Sequence, residues 1–563
     1  MWTAELPPFL IFYVGVLFAL IPSHRLRAFA MLLVPVVGAI NLVSMSTDAS
    51  LQVTLAGFEL TPLRVDDLTM LFGYAFHIAA FIAILYAFHI RDRVQQVAGL
   101  IYAGSALGAV FSGDLLTLFI FWELLAFSSV FLIWARGTER AFVAGLRYLI
   151  IQASSGLILL LGIVFYWRAE GTLSFDFIGT DSTYGWIILL ALGIKCAFPM
   201  FHNWLTDAYP EATPTGTVFL SAFTTKTAVY LLARSYPGTE QLIYVGAFMT
   251  CFPIFYAVIE NDLRRVLAYS MINQIGFMVC GIGIGTALAV NGAVAHAFND
   301  IVFKGLLFMA MGAVLQMTGK INGSELGGLY KSMPKTTVLC IVGAASISAF
   351  PLFSGFVSKS MIMSAALEEG YNWIWLALLF ASAGVFHHAG IKIPYFAFFA
   401  HDSGIRTTEP PNNMLAAMSI SALICIAIGV NPTLLYNLLP YELGYTPYDA
   451  THVLAQTQLL FYSALAFVWL NLMRLYPPEL PSVNLDVEWL YRKLIPGTGR
   501  MLERSVTQAS APARTLSTNL ISNLSGKKGL RAKLAKVGET PPSGQMVTWV
   551  MILLGAGLIV SFW

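Results

Sequence analysis

The sequence predicts an all-α polytopic membrane protein of about 14–16 transmembrane helices, with two inverted five-helix repeats, two broken helices and a C-terminal amphipathic lateral segment. Three observations carry that prediction. The 563 residues are 57% hydrophobic and only 11% charged. A soluble chain carries roughly 25% charged residues, so too little polar surface remains here to cover several soluble domains. Apolar runs long enough to cross a bilayer recur along the whole chain, and two of them contain a proline at membrane depth. A water-soluble enzyme is excluded on these grounds. The net charge of +2, diluted in apolar sequence, leaves no electrostatic footprint for nucleic acid.

A spanning helix needs about 20 mostly apolar residues. Such runs lie near 8–22, 27–45, 67–89, 96–112, 115–134, 142–167, 185–208, 213–235, 241–260, 265–287, 291–317, 335–366, 371–399, 413–435, 452–475 and 546–562. Phe9 to Ile21 looks like a signal-peptide core, but Arg25 and Arg27 follow it, and no cleavage site with a soluble domain comes next, so it reads as a span. Leu51 to Val65 alternates about a central glycine and reads as an external β-hairpin. The chain then divides into 1–66 (N-terminal helices and hairpin), 67–400 (the core, with repeats about 96–235 and 241–399), 401–475 (C-terminal helices), 476–545 and 546–563. Residues 476–545 are basic, with Leu502, Val506, Leu516, Leu520, Ile521 and Leu524 at roughly helical spacing. A helix on the inner membrane surface fits, as does a disordered linker to the last span, and Pro512 kinks any such helix.

Loop charge sets the orientation. Arg25, Arg27, Arg91, Arg93, Arg136, Arg140, Arg147, Arg264, Arg265, Lys320, Lys331, Lys335 and Arg406 fall in one set of loops. The opposite loops hold only Arg64, Arg168 and Arg234, and they collect Asp176, Asp181, Glu368, Glu369, Glu442 and Asp449. The positive-inside rule predicts a multi-pass protein of the cell inner membrane with its N-terminus outside and residues 476–545 in the cytoplasm. The five cysteines stand alone in apolar runs, so they read as small core residues rather than a disulfide or metal framework.

The proline breaks are Pro199, after Lys195-Cys196-Ala197-Phe198, and Pro351, within Phe350 to Lys359. They lie five spans apart. A broken helix is tolerated where its freed backbone lines a polar cavity, and a matched pair points to inverted repeats. Ionisable residues accompany the breaks. Glu123, Lys195 and Lys226 sit inside spans; His296, Asp300 and Lys304 share one helix face at i, i+4 and i+8; Lys359 follows the second break; His388 and Lys392 are again four apart. Each costs at least about 2.5–3.5 kcal/mol at mid-membrane. A lysine that alternately gains and loses a carboxylate neighbour can take up and release a proton, and histidine titrates near neutrality. The series therefore reads as a proton path. Taken singly, Lys226 could snorkel, His387 and His388 could be interfacial, and Asp300–Lys304 could be a packing salt bridge. Gly281 to Gly285 is no nucleotide fingerprint, because no strand precedes it. No metal site, redox centre or cofactor-binding motif is present in the sequence.

The runs FWELLAFSSVFLIW (121–134), GIKCAFPMFHNWLTDAYPEATPTG (193–216), TTKTAVYLLAR (224–234), NDLRRVLAYSMINQIGF (261–277), HAFNDIVFKGLLFMAMGAV (296–314) and FPLFSGFVSKSMI (350–362) carry a resemblance. The chain resembles the proton-conducting antiporter-like subunits shared by respiratory complex I, Mrp-type Na+/H+ antiporters and membrane-bound hydrogenases. The resemblance implies Glu123, Lys195, Lys226, Lys304 and Lys359 as proton-pathway residues. Asp300 stands where many relatives carry a second histidine, which predicts an Asp300–Lys304 clamp. The runs at 389–400 and 484–493 look more like the Mrp and hydrogenase branch. The implied function is the proton-translocating subunit of a multisubunit Mrp-type cation/proton antiporter, without a cofactor of its own. Its partners would be homologous and small membrane subunits, H+ with Na+ left open, and the lipid bilayer. The alternatives are a proton-pumping subunit of a complex I-like NADH:quinone oxidoreductase or hydrogenase, and a non-conducting scaffold or inorganic-carbon uptake partner.

Overall fold

The computed structural model describes residues 6–55, 57–442, 444–480, 484–494, 496–501 and 504. The chain divides into two compact units, Met1–Asn484 and Leu485–Trp563. In the second, a helical turn over Leu490–Leu494 carries an Arg492–Glu488 ion pair of 3.0 Å. The lateral helix expected beyond residue 504 and the terminal span at 546–562 lie outside the described residues.

The first unit opens with α1 (Pro8–Gly15), α2 (His24–Val43) and an antiparallel hairpin of β1 (Ser50–Leu55) and β2 (Phe58–Arg64). Gly57 turns that hairpin at φ 83°, a backbone that glycine adopts without strain. Next come α3 (Asp67–Tyr86), α4 (Arg93–Phe111), α5 (Leu115–Trp134), α6 (Glu139–Glu170), α7 (Thr183–Lys195), α8 (Asn203–Ala208), α9 (Gly216–Ala222) and α10 (Thr224–Ser235). A second series follows: α11 (Glu240–Ile259), α12 (Leu263–Ile284), α13 (Ala287–Thr318), α14 (Pro334–Ile347), α15 (Ser354–Glu368) and α16 (Asn372–Val385), the last continuing through wide π-type turns to Phe399. α17 (Asn412–Val430), α18 (Thr433–Tyr436) and α19 (Ala450–Leu472) complete the unit.

Among the described residues twelve helices are long and apolar enough to cross a membrane, and Pro8–Leu20, Thr183–Lys195 and Pro334–Ile347 are shorter apolar helices. These segments coincide with the apolar runs that precede residue 476. Short polar side chains fix where many of them start. Asp66, Asp92, Asp114, Thr138, Ser182, Asp262, Thr286 and Asp449 each accept a backbone N–H at a helix N-terminus.

The two series repeat one another closely. α6 and α13 are both 32 residues long, and both bounds shift by 148 positions, from 139 to 287 and from 170 to 318. Asp114 bridges to Ser174 and Asp262 to Asn322, again 148 apart at each end. Matching backbone bonds accompany them: Leu115 N to Leu173 O at 2.8 Å, and Leu263 N to Ile321 O at 3.2 Å.

The broken spans match as well. Ala197 (φ 60°) and Met200 (φ 73°) bracket Phe198-Pro199, as Ala349 (φ 57°) and Leu352 (φ 75°) bracket Phe350-Pro351. Phe198 N donates to Gly193 O at 2.9 Å, and Phe350 N to Ala345 O at 3.0 Å. Proline cannot donate, so each break wraps the preceding helix end in a tight turn that satisfies its last carbonyls.

Candidate functional site

The breaks and the helices beside them hold a line of charged side chains out of water. Lys195, Lys226, His296, Asp300, Lys304, Lys359, His388 and Lys392 are only 0–1% exposed. Glu123 is half-buried. Each buried charge requires a partner, because the idealised penalty for an isolated one is far larger than the total stability of a domain.

The first group joins α5, α6 and α7. Lys195, the last residue of α7 before the break, donates to the Trp122 carbonyl and lies 4.0 Å from the Trp122 ring centroid. Carbonyl and ring together replace part of its hydration. Glu123, next to Trp122 on α5, lies within electrostatic range of Lys195. Among the described residues its Oε1 has no hydrogen-bond partner, and it rests against Gly156 of α6, where a side chain would collide with it.

The second group joins the repeats. Lys226 of α10 pairs with Asp300 of α13 at 2.6 Å, both fully buried, and also donates to Ser221 O at 3.0 Å. This corrects the expected clamp of Lys304 by Asp300. Lys304 donates instead to Ser270 Oγ of α12 at 2.9 Å. The i, i+4 spacing put both residues on one face of α13, but it could not reveal that α10 presents a competing lysine to that face. Asp300 remains within electrostatic range of Lys304 and Lys359.

His296 is held at both ring nitrogens, Nδ1 at 3.0 Å from Ser358 Oγ and Nε2 at 3.0 Å from Gln274 Oε1. Gln274 continues to Asn273 Oδ1 at 2.6 Å, and Asn299 donates to Ser358 Oγ at 3.1 Å. Lys359 donates to Ile347 O at 3.3 Å, the end of α14, and lies 5.0 Å from the Phe277 ring. His388 sits on the π-type turns after α16, within electrostatic range of Lys304 and Lys392.

Lys392 occupies a different setting from the other lysines. It donates to Val258 O at 2.7 Å and Glu260 O at 2.6 Å, at the carbonyl end of α11, and pairs with Glu479 at 2.9 Å. That is how a helix C-terminus is usually satisfied by a cation. Burial pushes the Glu479 carboxyl up, with the Lys392 ammonium opposing. Tyr476 stacks near His387 with centroids 5.4 Å apart. Residues 476–479 thus pack onto the chain itself instead of starting a lateral arm.

Sequence reasoning missed the neutral partners: Trp122, Ser270, Asn273, Gln274, Asn299 and Ser358. Ser270, Asn273 and Gln274 fall at i, i+3 and i+4 inside a span, which is a polar helix face and a readable signal. Glu479 lies in a loop and gave none. Among the described residues no group of three or more His, Cys, Asp or Glu side chains could hold a metal ion. What the arrangement offers is a succession of proton-holding groups linked by hydroxyls and amides.

Residues 112–386 match the family described as NADH:quinone oxidoreductase/Mrp antiporter, TM. The chain is similar to a probable K(+)/H(+) antiporter component of Rhizobium meliloti, 31% identical over 402 residues, which are 66% of this chain and 40% of that protein. The chain therefore spans less than half the length of that relative. Its fold is similar to that of a chain in the Mrp complex from a Dietzia species, with TM-score 0.70 and 20% identity over 83% of this chain and 99% of that one. It is similar also to a chain of the membrane-bound sulfane sulfur reductase, an archaeal respiratory membrane complex, with TM-score 0.73 and 22% identity over 99% and 100% of the two chains.

Proposed function

We propose that this multi-pass membrane protein, which belongs through residues 112–386 to the NADH:quinone oxidoreductase/Mrp antiporter transmembrane family, is a proton-translocating antiporter-like subunit of a larger membrane complex. The observation that carries the proposal is the Lys226–Asp300 ion pair, 2.6 Å long and fully buried. It joins the last helix of one repeat to the third helix of the other. A buried pair of this kind adds little stability over apolar packing, so its retention favours a role in moving charge.

Glu123 and Lys195 form the proton-holding pair of the first repeat, and Lys226, Asp300 and Lys304 form the proton-holding group of the centre. His296, bonded to Ser358 of α15, and Lys359 on the same helix carry the path into the second break. Proton transfer needs Asp300 to exchange partners among the lysines within its reach. Cation/proton antiport of the Mrp type is the favoured setting, in the cell inner membrane, with the N-terminus outside and residues 476–545 in the cytoplasm beside other subunits. The second setting is a redox-driven pump, which the family description also covers; any electron transfer would then occur on partner subunits.

The test is Lys195→Ala, and Lys226→Met combined with Asp300→Leu so that no buried charge is left unpaired, in the full complex, reconstituted in vesicles, with proton flux read from an internal pH dye. Substituting an apolar residue eases membrane insertion, so both variants are expected to assemble and to lose proton flux. Flux at the wild-type rate in either assembled variant would overturn the proposal.

A further inference from the structure

A groove of about 420 Å³ runs between α4 and α5. Val97, Ala98 and Ile101 line it from α4, and Leu124, Phe127 and Phe131 from α5. Ala98 is small and buried, and it sets the floor; Phe127 and Phe131 are 49% and 44% exposed and stand at the rim. Ser128 also borders the groove, but its hydroxyl donates to Leu124 O of its own helix at 2.6 Å. Water would find no partner along these walls, so the groove suits hydrocarbon.

One end is different. Arg93, the first residue of α4, lines the mouth with an exposed guanidinium. Among the described residues its side chain makes no ion pair and no hydrogen bond. Its neighbour Asp92 is already engaged, accepting Val94 N at 2.9 Å and Gln95 Nε2 at 3.0 Å. A free cation thus stands at the end of an apolar trough, which is the charge pattern of an anionic amphiphile in reverse.

Dimensions select the occupant. From Arg93 to Ile101 the groove follows α4 for eight residues, about 12 Å at 1.5 Å per residue. One leaflet of bilayer hydrocarbon is about 15 Å deep, so the groove belongs to a single leaflet, with the arginine at its polar edge. Spread over that length, the volume leaves a cross-section of about 35 Å². A helix about 10 Å across covers more than twice that area. A single acyl chain enters the groove, whereas a helix of another subunit would ride over the rim and leave it empty.

We propose that the α4–α5 groove is a binding site for an anionic phospholipid, with one acyl chain along Val97, Ala98, Ile101 and Leu124 and the headgroup phosphate on Arg93. The guanidinium can meet two phosphate oxygens at once through paired N–H groups. A zwitterionic headgroup brings its own cation to the phosphate and gains less from the arginine.

The test uses the full chain in its assembled complex, reconstituted in phosphatidylcholine vesicles that contain a minor fraction of phosphatidylglycerol with a photoactivatable diazirine in one acyl chain. Cross-linked peptides are mapped by mass spectrometry. Labelling is expected at Val97, Ile101, Leu124 and Phe127, competed by unlabelled phosphatidylglycerol and not by added phosphatidylcholine. Arg93→Gln is expected to lower it about fivefold, the worth of one surface arginine to an anionic lipid, and Arg93→Lys to keep most of it. Val97→Trp, which fills the groove and leaves the charge, is expected to lower it at least as much; if that variant does not assemble, Arg93→Gln at its exposed position decides alone. Equal competition by phosphatidylcholine would show an unselective lipid coat and overturn the proposal, as would wild-type labelling in Arg93→Gln. A photoreactive analogue in place of Phe127 that cross-links to a neighbouring polypeptide and not to lipid would show a protein-covered groove and overturn it too.

Discussion

Gly156 offers the sharpest perturbation of Glu123, because changing it displaces the carboxylate without replacing a charged residue. A Cβ at Gly156 would fall 1.4 Å from Glu123 Oε1 and 2.5 Å from its Cδ, whereas ordinary contact begins at 3.4 Å. In Gly156→Ala the carboxylate must therefore retreat by about 2 Å. The colliding atoms are the free end of a flexible side chain, and alanine is better than glycine in a helix interior by roughly 1 kcal/mol. α6 should stay intact, with overall stability changed by no more than about 1 kcal/mol. The electrostatic loss can be bounded. At an effective dielectric constant of about 20, an ion pair drawn from about 5 Å to about 7 Å loses about 0.9 kcal/mol, roughly fivefold in an equilibrium. Proton relay is more sensitive to position, and a misplacement of about 1 Å can cost roughly 100-fold in rate. Proton flux in vesicles carrying Gly156→Ala should fall between those limits. If the effect runs through the carboxylate, Gly156→Ala should add nothing to Glu123→Ala in the double variant. Wild-type flux in Gly156→Ala, or losses that multiply in the double variant, would refute the reasoning.

Three further outcomes follow from the geometry. Asp300→Asn leaves Lys226 a buried charge without its counter-ion and should destabilise the purified subunit by about 3–5 kcal/mol, while Lys226→Met with Asp300→Leu recovers most of that loss and stays inactive; thermal unfolding in detergent distinguishes the two, and equal destabilisation would deny the pair. Ala349 holds φ 57°, so Ala349→Gly should stabilise by about 1 kcal/mol and Ala349→Val destabilise by at least as much, measured by the same unfolding; no difference between the variants would remove the strain. Asp402 accepts hydrogen bonds from Arg406 and Lys331, which hold its carboxyl far below the usual range. Its folded value is depressed, so its contribution is complete above the ordinary aspartate value of about 3.9 and is lost only as the pH falls below it; hydrogen-exchange protection of the 400–411 loop, taken relative to the intrinsic exchange rate at each pH, should fall under strong acid and stay level between neutrality and about pH 5.

The helices were legible because membrane burial leaves a simple record: long apolar runs, ended by Asp, Ser or Thr caps and separated by charged loops. The breaks were legible because proline has only one physical reading at mid-membrane. The ion pairs were not. Asp300 and Lys304 share a helix face by spacing alone, yet Lys226, seventy-four residues earlier, takes the carboxylate. Spacing on one helix constrains a face, and only packing decides what another helix brings to it. Lys392 shows the same limit. Its sequence context is that of the other buried lysines, but the carbonyl end of α11 and Glu479 make it a tether. The repeat itself was visible only through its breaks, since its two copies share lengths and turns but few side chains.

That mismatch between backbone and side chains bears on mechanism. The 148-residue shift that superposes α6 on α13 pairs Tyr148 with His296, Gln152 with Asp300 and Gly156 with Lys304. α13 thus carries a charged face that α6 lacks. In the first repeat the carboxylate comes from α5, where Glu123 fills the space left by Gly156; the corresponding residue of α12 is Met271. Had each repeat kept its own carboxylate–lysine pair, Asp300 would neutralise Lys304 and the two halves would be electrically independent. Instead the first repeat supplies the cation and the second the anion of one central pair, and Lys304 is left with Ser270. Two lysines compete for one carboxylate. An ion pair at about 4 Å gains about 4 kcal/mol at an effective dielectric constant of about 20, so rotating Asp300 from Lys226 toward Lys304 exchanges two interactions of similar size. A side-chain movement on α13 is then enough to change which repeat holds its lysine in an ion pair. On the proposed reading, it is this shared carboxylate that makes proton occupancy in one half depend on the other.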